Sequence, residues 1–433
     1  MHVSTRSVLL CVLLGAIFSA PVVVGAFDVF PYAPVAVLLF VFAAYAFDTA
    51  RPRLPKQVAL VLLSVCFGVT LSDMAARPLF FYLFEVRPAE RFIYRWQPLP
   101  QLQRYVANVD YEGVTYGDLA AVSGRRDWRE ERRIKFLTDQ YGFRNEPPVV
   151  GVEPRPLDVI VLGDSFGVAA GTSEEETLSS LLVRDYGLSV YNLSISRESP
   201  QQQYANLLLE GKRLKARQGT CVLWLVFPGN DLDDPYYPEL ENPQPVGPGP
   251  LRRFVRGFRA FRSRSPVHRL LAPRGSEQVI ERTIVDGRRM LFFAPYAQRR
   301  GRTAEDVMRH PNFESLKATL GAMERLAGER QLTVSVALVP SKEEVYSWVL
   351  DGAPPWSADG KPSGFSAVLR GLCEQHGFRF LDLKPALLEA SKQDYEKTAS
   401  LLWWRDDTHW NGNGQRAAAA AVYKNHLREI QTR

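Results

Sequence analysis

The 433-residue chain is 46% hydrophobic and 23% charged, with 30 Gly and 30 Pro, which excludes a disordered, collagen-like or coiled-coil polymer. Four cysteines (Cys11, Cys66, Cys221 and Cys373) are too few and too scattered for a disulfide scaffold or a thiolate metal site, and the last two read as buried free thiols. The net charge of +6 is local: residues 251–310 hold fifteen Arg, no Lys and five acids, a balance of +10 that leaves −4 for the rest, so it is not that of a nucleic-acid binder.

Residues 7–27 run for about 21 positions without a charge, enough to cross a bilayer as a helix. Residues 31–47 form a second uncharged run, and a third extends from 58 towards 75, broken only by Asp73. The pattern predicts about three transmembrane helices within 1–83. Arg51, Arg53 and Lys56 in the second connection place that loop in the cytoplasm, so the chain leaves the third span on the opposite, extracytoplasmic side of the cell membrane. Residues 1–26 also fit a signal peptide, with Arg6 in its basic region and Val24-Gly25-Ala26 as cleavage site. Both readings put the C-terminal domain outside.

Residues 84–154 read as a connecting segment, with Tyr141–Asn145 an edge element leading into the first strand. From 155 to 430 apolar strand-like runs alternate with helical ones. The strands are Leu157–Leu162, Leu188–Leu193, Cys221–Phe227, Leu332–Val339 and Phe378–Leu381. Helices are expected after a capping box at Ser173–Glu176, around 200–216, near 313–329 and 364–376, and at 415–430. This predicts an α/β fold, a three-layer, doubly wound, parallel five-stranded sheet with right-handed crossovers.

An insertion at 236–310 interrupts it after the third strand. Within 251–264, Leu251, Phe254, Val255, Phe258 and Phe261 recur at helical spacing among arginines. Such a basic amphipathic helix fits an anionic lipid surface, a lid packed on the domain, or a polyanion.

Ligands bind beyond the carboxyl ends of such strands, where four polar clusters fall. They are Gly163-Asp164-Ser165-Phe166, Asn192–Arg197, Pro228-Gly229-Asn230-Asp231 and Trp404–Asn411. A serine hydroxyl needs a base, and the base needs a third group to fix its tautomer. Ser165 is the candidate nucleophile, His409 the base and Asp406, three residues earlier, the orienting acid. Asn230 and the backbone N–H groups of Ser165 and Arg197 are candidate oxyanion donors. Asp164 and Asp231 read as loop stabilisers. Lys342 stands at the correct edge for a charged substrate, and Trp404 and Trp410, with Trp403, for stacking on a sugar, although each also fits an ordinary solvated or core position. Phosphate-binding glycine loops and metal motifs are missing, so no cofactor or metal is expected.

The four clusters together resemble the SGNH (GDSL-type) hydrolase superfamily, over about 155–430. The resemblance implies a flavodoxin-like fold and assigns Ser165, Asn230, Asp406 and His409 as nucleophile, oxyanion donor, acid and base. Where that family has glycine this chain has Arg197, which keeps the N–H but lacks glycine's conformational freedom. Pro340–Tyr346 together with Asp407-Thr408-His409-Trp410 is similar to the alginate O-acetyltransferase-like branch, in which the acid lies two residues before the histidine. Asp407 is therefore the alternative to Asp406.

The implied function is a membrane-tethered, extracytoplasmic serine esterase acting on acyl (acetyl) esters of cell-surface carbohydrate. An alternative is a polysaccharide O-acetyltransferase using the same residues with a separate membrane acyl-donor partner. A catalytically silent assembly subunit is the third reading.

Overall fold

The computed structural model describes residues 87–96, 98–146, 155–241, 243, 278–357 and 360–430, with scattered helical positions between 57 and 76. The expected spans at 7–27 and 31–47, most of that at 58–75 and the basic helix of 251–264 lie outside these. Among the described residues no helix is long and apolar enough to cross a membrane. Of the two units into which the chain divides, the one formed by Arg87–Pro245 and Arg274–Arg433 carries the α/β core.

Its first part is antiparallel. Strands β1 (Ile93–Arg95) and β2 (Gln103–Tyr105) pair, as do β3 (Asp110–Thr115) and β4 (Arg132–Leu137), with helix α1 (Asp118–Ser123) between the last two. The core sheet follows: β5 (Leu157–Leu162), β6 (Val190–Asn192), β7 (Ala216–Val226), β10 (Thr333–Leu338) and β11 (Arg379–Asp382), all parallel, in the order β11-β10-β7-β5-β6. The strand order reverses between β5 and β7, the point at which open α/β sheets bind ligands. A hairpin of β8 (Val279–Thr283) and β9 (Arg289–Phe293) belongs to the end of the insertion.

Alternation along the strands builds two cores. Ile160, Leu162, Val222, Trp224 and Val336 pack with Leu207, Leu320, Met323 and Leu369 on one face. These come from helices α4 (Pro200–Glu210), α7 (Phe313–Arg330) and α8 (Gly364–Gln375). Val159, Val161, Leu223 and Ala337 pack on the other face with Leu181, Leu387 and Ala418. Those belong to α3 (Leu178–Tyr186), α9 (Lys384–Thr398) and α10 (Gly412–Val422). Cys221 and Cys373 are buried free thiols.

Two helix starts differ from expectation. Thr177, not Ser173, caps α3, accepting from Ser180 N at 3.1 Å. Glu174 is instead drawn to Arg144 at 2.9 Å, and residues 174–176 form a 3₁₀ turn. Helix α10 starts at Gly412, ahead of 415, because the Asn411 side chain accepts from Asn413 N and Gly414 N.

Candidate active site

The apolar run of β5 ends at Leu162, and Gly163-Asp164 turns the chain into the short helix α2 (Ser165–Val168). Asp164 caps that helix, accepting from Phe166 N at 2.9 Å, which fixes Ser165 on the turn. Close packing requires glycine beneath it, since a Cβ on Gly167 would lie 2.2 Å from Ser194 Oγ.

Beyond β11 and α9, the loop Trp404–His409 returns to the same rim. Ser165 Oγ stands 2.7 Å from His409 Nε2, and Asp407 Oδ1 stands 2.7 Å from His409 Nδ1. Hydroxyl, imidazole and carboxylate therefore form a continuous hydrogen-bonded row across 244 residues of sequence separation. Such a row can move a proton from Oγ to Nε2 while the carboxylate holds the other ring nitrogen.

Asp407 is fully buried, which opposes its charge. Arg87 (3.1 Å) and Arg132 (2.8 Å), both donating to Oδ2, with the imidazole on Oδ1, hold it well below the usual carboxylate range. Burial also opposes a charge on His409, but Asp407, and after it Asp118, lift the imidazole above its ordinary value.

Asp406 does not touch the imidazole, contrary to the spacing-based preference. Its carboxylate accepts from Gly117 N (2.7 Å), Glu130 N (2.8 Å) and Arg132 (3.0 Å). Its carbonyl accepts from Leu119 N and Ala120 N at the start of α1. The loop turns so that only the second of the two acids faces the ring, and the first grips the segment before the α/β core.

Arg197 lies in the left-handed region with φ 66°, the conformation glycine would supply. Gln103 and Tyr105 of β2 hold this turn: Gln103 Nε2 donates to Ser196 O, and the Tyr105 hydroxyl bonds Ser196 Oγ at 2.7 Å. The Arg197 side chain is exposed and pairs with Glu90 at 3.3 Å.

Asn230 follows β7 and donates to Asp234 Oδ2 at 3.2 Å. Its side chain also hydrogen-bonds the Asp164 carboxyl, and its Oδ1 is buried without a partner. Asp231 accepts from Phe227 N at 2.7 Å. The insertion's last turns clamp this loop. In α5 (Ala294–Arg299) Arg299 donates to Gly229 O, and Arg299, Arg302 and His310 all pair with Asp233, beyond α6 (Ala304–Met308) in the last case.

Two of the three expected substrate contacts are placed elsewhere, and the third is partly covered. Lys342 is fully buried and donates to the carbonyls of Trp404 (2.8 Å), Arg405 (3.0 Å) and Asp407 (2.9 Å). Burial pulls its ammonium down to about 8. Saturated in this way, it orders the histidine loop and has no donor left for substrate. Trp410 is fully buried, edge-on to Phe166 at 5.0 Å, and belongs to the core. The Trp404 ring is covered by the Arg132 guanidinium at 4.1 Å.

The sequence reading missed Arg87, Asp118, Arg132 and Arg144. Arg144 is buried and donates to the carbonyls of Val168, Ala169 and Thr172, fixing the chain just after the serine turn. The Asp118, Asp407 and His409 donor atoms lie within 4.8 Å of one another. Asp407 Oδ2 is taken by two guanidiniums and both ring nitrogens are engaged, so this set is committed to acid–base pairing and not to a cation.

No curated protein matches the chain. Residues 298–432, which include His409 and both candidate acids but not Ser165, match the family model of the SGNH hydrolase-like domain of the acetyltransferase AlgX.

Proposed function

We propose that the chain is an SGNH-type serine enzyme that handles acyl, chiefly acetyl, groups on a polysaccharide. The observation that carries this reading is the row Ser165 Oγ–His409 Nε2, His409 Nδ1–Asp407 Oδ1, 2.7 Å at each step. Ser165 Oγ attacks the ester carbonyl and passes its proton to His409. Asp407 holds the resulting imidazolium. The negative oxygen of the tetrahedral intermediate takes hydrogen bonds from the backbone N–H groups of Ser165 and Arg197 and from the Asn230 amide, once one amide hydrogen leaves its carboxylate. Collapse expels the alcohol, which His409 protonates, and leaves an acyl-enzyme. Water resolving that ester makes an esterase.

A sugar hydroxyl resolving it makes a transferase, and the match of residues 298–432 to an acetyltransferase family favours this second reading. Transfer would need an activated acyl donor delivered by a separate membrane partner. The uncharged runs before residue 83 and the basic loop at Arg51, Arg53 and Lys56 support a membrane tether with the site outside.

A fluorophosphonate probe tests the nucleophile: the purified chain is expected to label and Ser165→Ala is not. Labelling that survives Ser165→Ala, or no labelling of the unmodified chain, refutes the enzymatic reading. p-Nitrophenyl acetate with and without an oligosaccharide acceptor then separates the two activities. An acylated acceptor identifies transfer, and free acetate alone identifies hydrolysis.

A further inference from the structure

We propose that Asp118 is a second positioning carboxylate for His409, sharing with Asp407 the tasks of orienting the imidazole and balancing its charge. This rests on the proposed roles of Ser165 and His409.

Asp118 Oδ2 lies 3.5 Å from His409 Nδ1, on the ring nitrogen that Asp407 Oδ1 meets at 2.7 Å. The carboxylate is held there by the residue between the two: Thr408 N donates to Oδ1 at 2.8 Å and the Thr408 hydroxyl donates to Oδ2. That hydroxyl oxygen is itself 3.2 Å from Nδ1. The ring nitrogen thus faces a carboxylate directly and a second one through and beside a hydroxyl.

Backbone geometry fixes Asp118 independently of these bonds. It is the first residue of α1, whose leading N–H groups close on the Asp406 carbonyl, while Gly117 N closes on the Asp406 carboxylate. The neighbouring acid therefore delivers Asp118 to the base.

The charges are distributed unequally. Asp407 spends Oδ2 on both Arg87 and Arg132 before the imidazole gains a proton. Asp118 accepts two hydrogen bonds from Thr408, its carboxyl also lies within hydrogen-bond reach of the Asp407 carboxyl, and among the described residues His409 is its one ion-pair partner. Arg87, Lys342, Glu343 and Tyr296 also feel its charge. Burial, with the Asp407 charge, lifts the Asp118 carboxyl to about 6, and His409 opposes that rise. When the ring takes the serine proton, Asp118 can supply charge that Asp407 has already committed elsewhere.

The test is a double-mutant cycle on the full chain, with Asp118→Asn, Asp407→Asn and both together, read by p-nitrophenyl acetate hydrolysis and probe labelling. Asp118→Asn alone is expected to lower kcat about tenfold with KM unchanged, and to move the acid limb of the pH profile down. In the Asp407→Asn background the same change should cost at least about tenfold more, because no carboxylate then faces Nδ1. Asp118→Glu or added formate with Asp118→Ala should restore part of the activity.

Equal costs in the two backgrounds, or an unmoved acid limb, overturn the inference. Should Asp118→Asn fail to fold, Thr408→Val replaces it: it releases Asp118 and should move the limb the same way, and an unmoved limb there overturns the inference equally. An unmodified chain that neither labels nor hydrolyses the ester overturns the proposed function and this inference together. A chain that labels at Ser165 but shows additive costs overturns only the role of Asp118.

Discussion

Gly117 donates its backbone N–H to the Asp406 carboxylate at 2.7 Å, and its Cα approaches so closely that an added Cβ would lie 1.8 Å from the Asp406 carbonyl oxygen. With φ −72° the position needs no special backbone freedom. It is glycine because two chain segments 289 residues apart touch there. Gly117→Ala should push the start of α1 off the histidine loop, costing about 1–3 kcal/mol of stability and, at temperatures where the protein stays folded, at least about tenfold in kcat. Thermal melts alongside kinetics check this. A stable, fully active alanine variant would refute the contact.

The raised His409 sets the pH dependence. The ring accepts a proton from Ser165 only when neutral, so activity should rise with pH through a limb above the ordinary histidine value of about 6.5, since the Asp407 and Asp118 charges outweigh burial. A kcat/KM profile on p-nitrophenyl acetate measures it, and a midpoint below about 6 would contradict the charge balance described.

Arg197 carries a side chain at a φ of 66°, a conformation that costs a non-glycine residue roughly 1–2 kcal/mol. Arg197→Gly should keep activity and change stability by less than about 1 kcal/mol, as relief of strain offsets the freer unfolded chain. Arg197→Val, β-branched, should lose stability by about 1–3 kcal/mol and lower kcat. Identical behaviour of the two variants would show that the turn does not depend on this conformation.

Lys342→Met removes the common donor of three buried carbonyls and should destabilise the protein by about 2–4 kcal/mol. The sign of the pH effect follows from the lysine's lowered value of about 8. Between about 8 and 10.4 the unfolded chain binds more protons than the folded one, so the unmodified protein gains stability as pH rises there. The gap to the Met variant should widen over that window in denaturant titrations. A narrowing gap would mean that Lys342 is not buried as a strained cation.

Strand Leu157–Leu162 was legible in the sequence to the residue, because a strand covered on both faces is written as one unbroken apolar run. The meeting of Ser165 and His409 was legible too, since strand ends are where polar clusters stand out against apolar ones. The choice between Asp406 and Asp407 was not. Both spacings reach a ring nitrogen, and the decision is made by Gly117, Glu130 and Arg132, which claim the first acid from far upstream. Helix α9 escaped notice because it is amphipathic only weakly, burying Leu387 and Ser391 and little else. Lys342 and Trp410 were misplaced for one shared reason: residue type gives chemistry, but burial decides whether that chemistry faces outwards.

Arg87 and Asp407, in contact at 3.1 Å, are 320 residues apart in the chain. During synthesis the serine turn therefore emerges long before the imidazole it meets, and the arginine that steadies the acid, made earlier, waits longer still for its partner. The hydrogen-bonded row at Ser165 therefore cannot be completed in any unfinished chain, because its last members are made last.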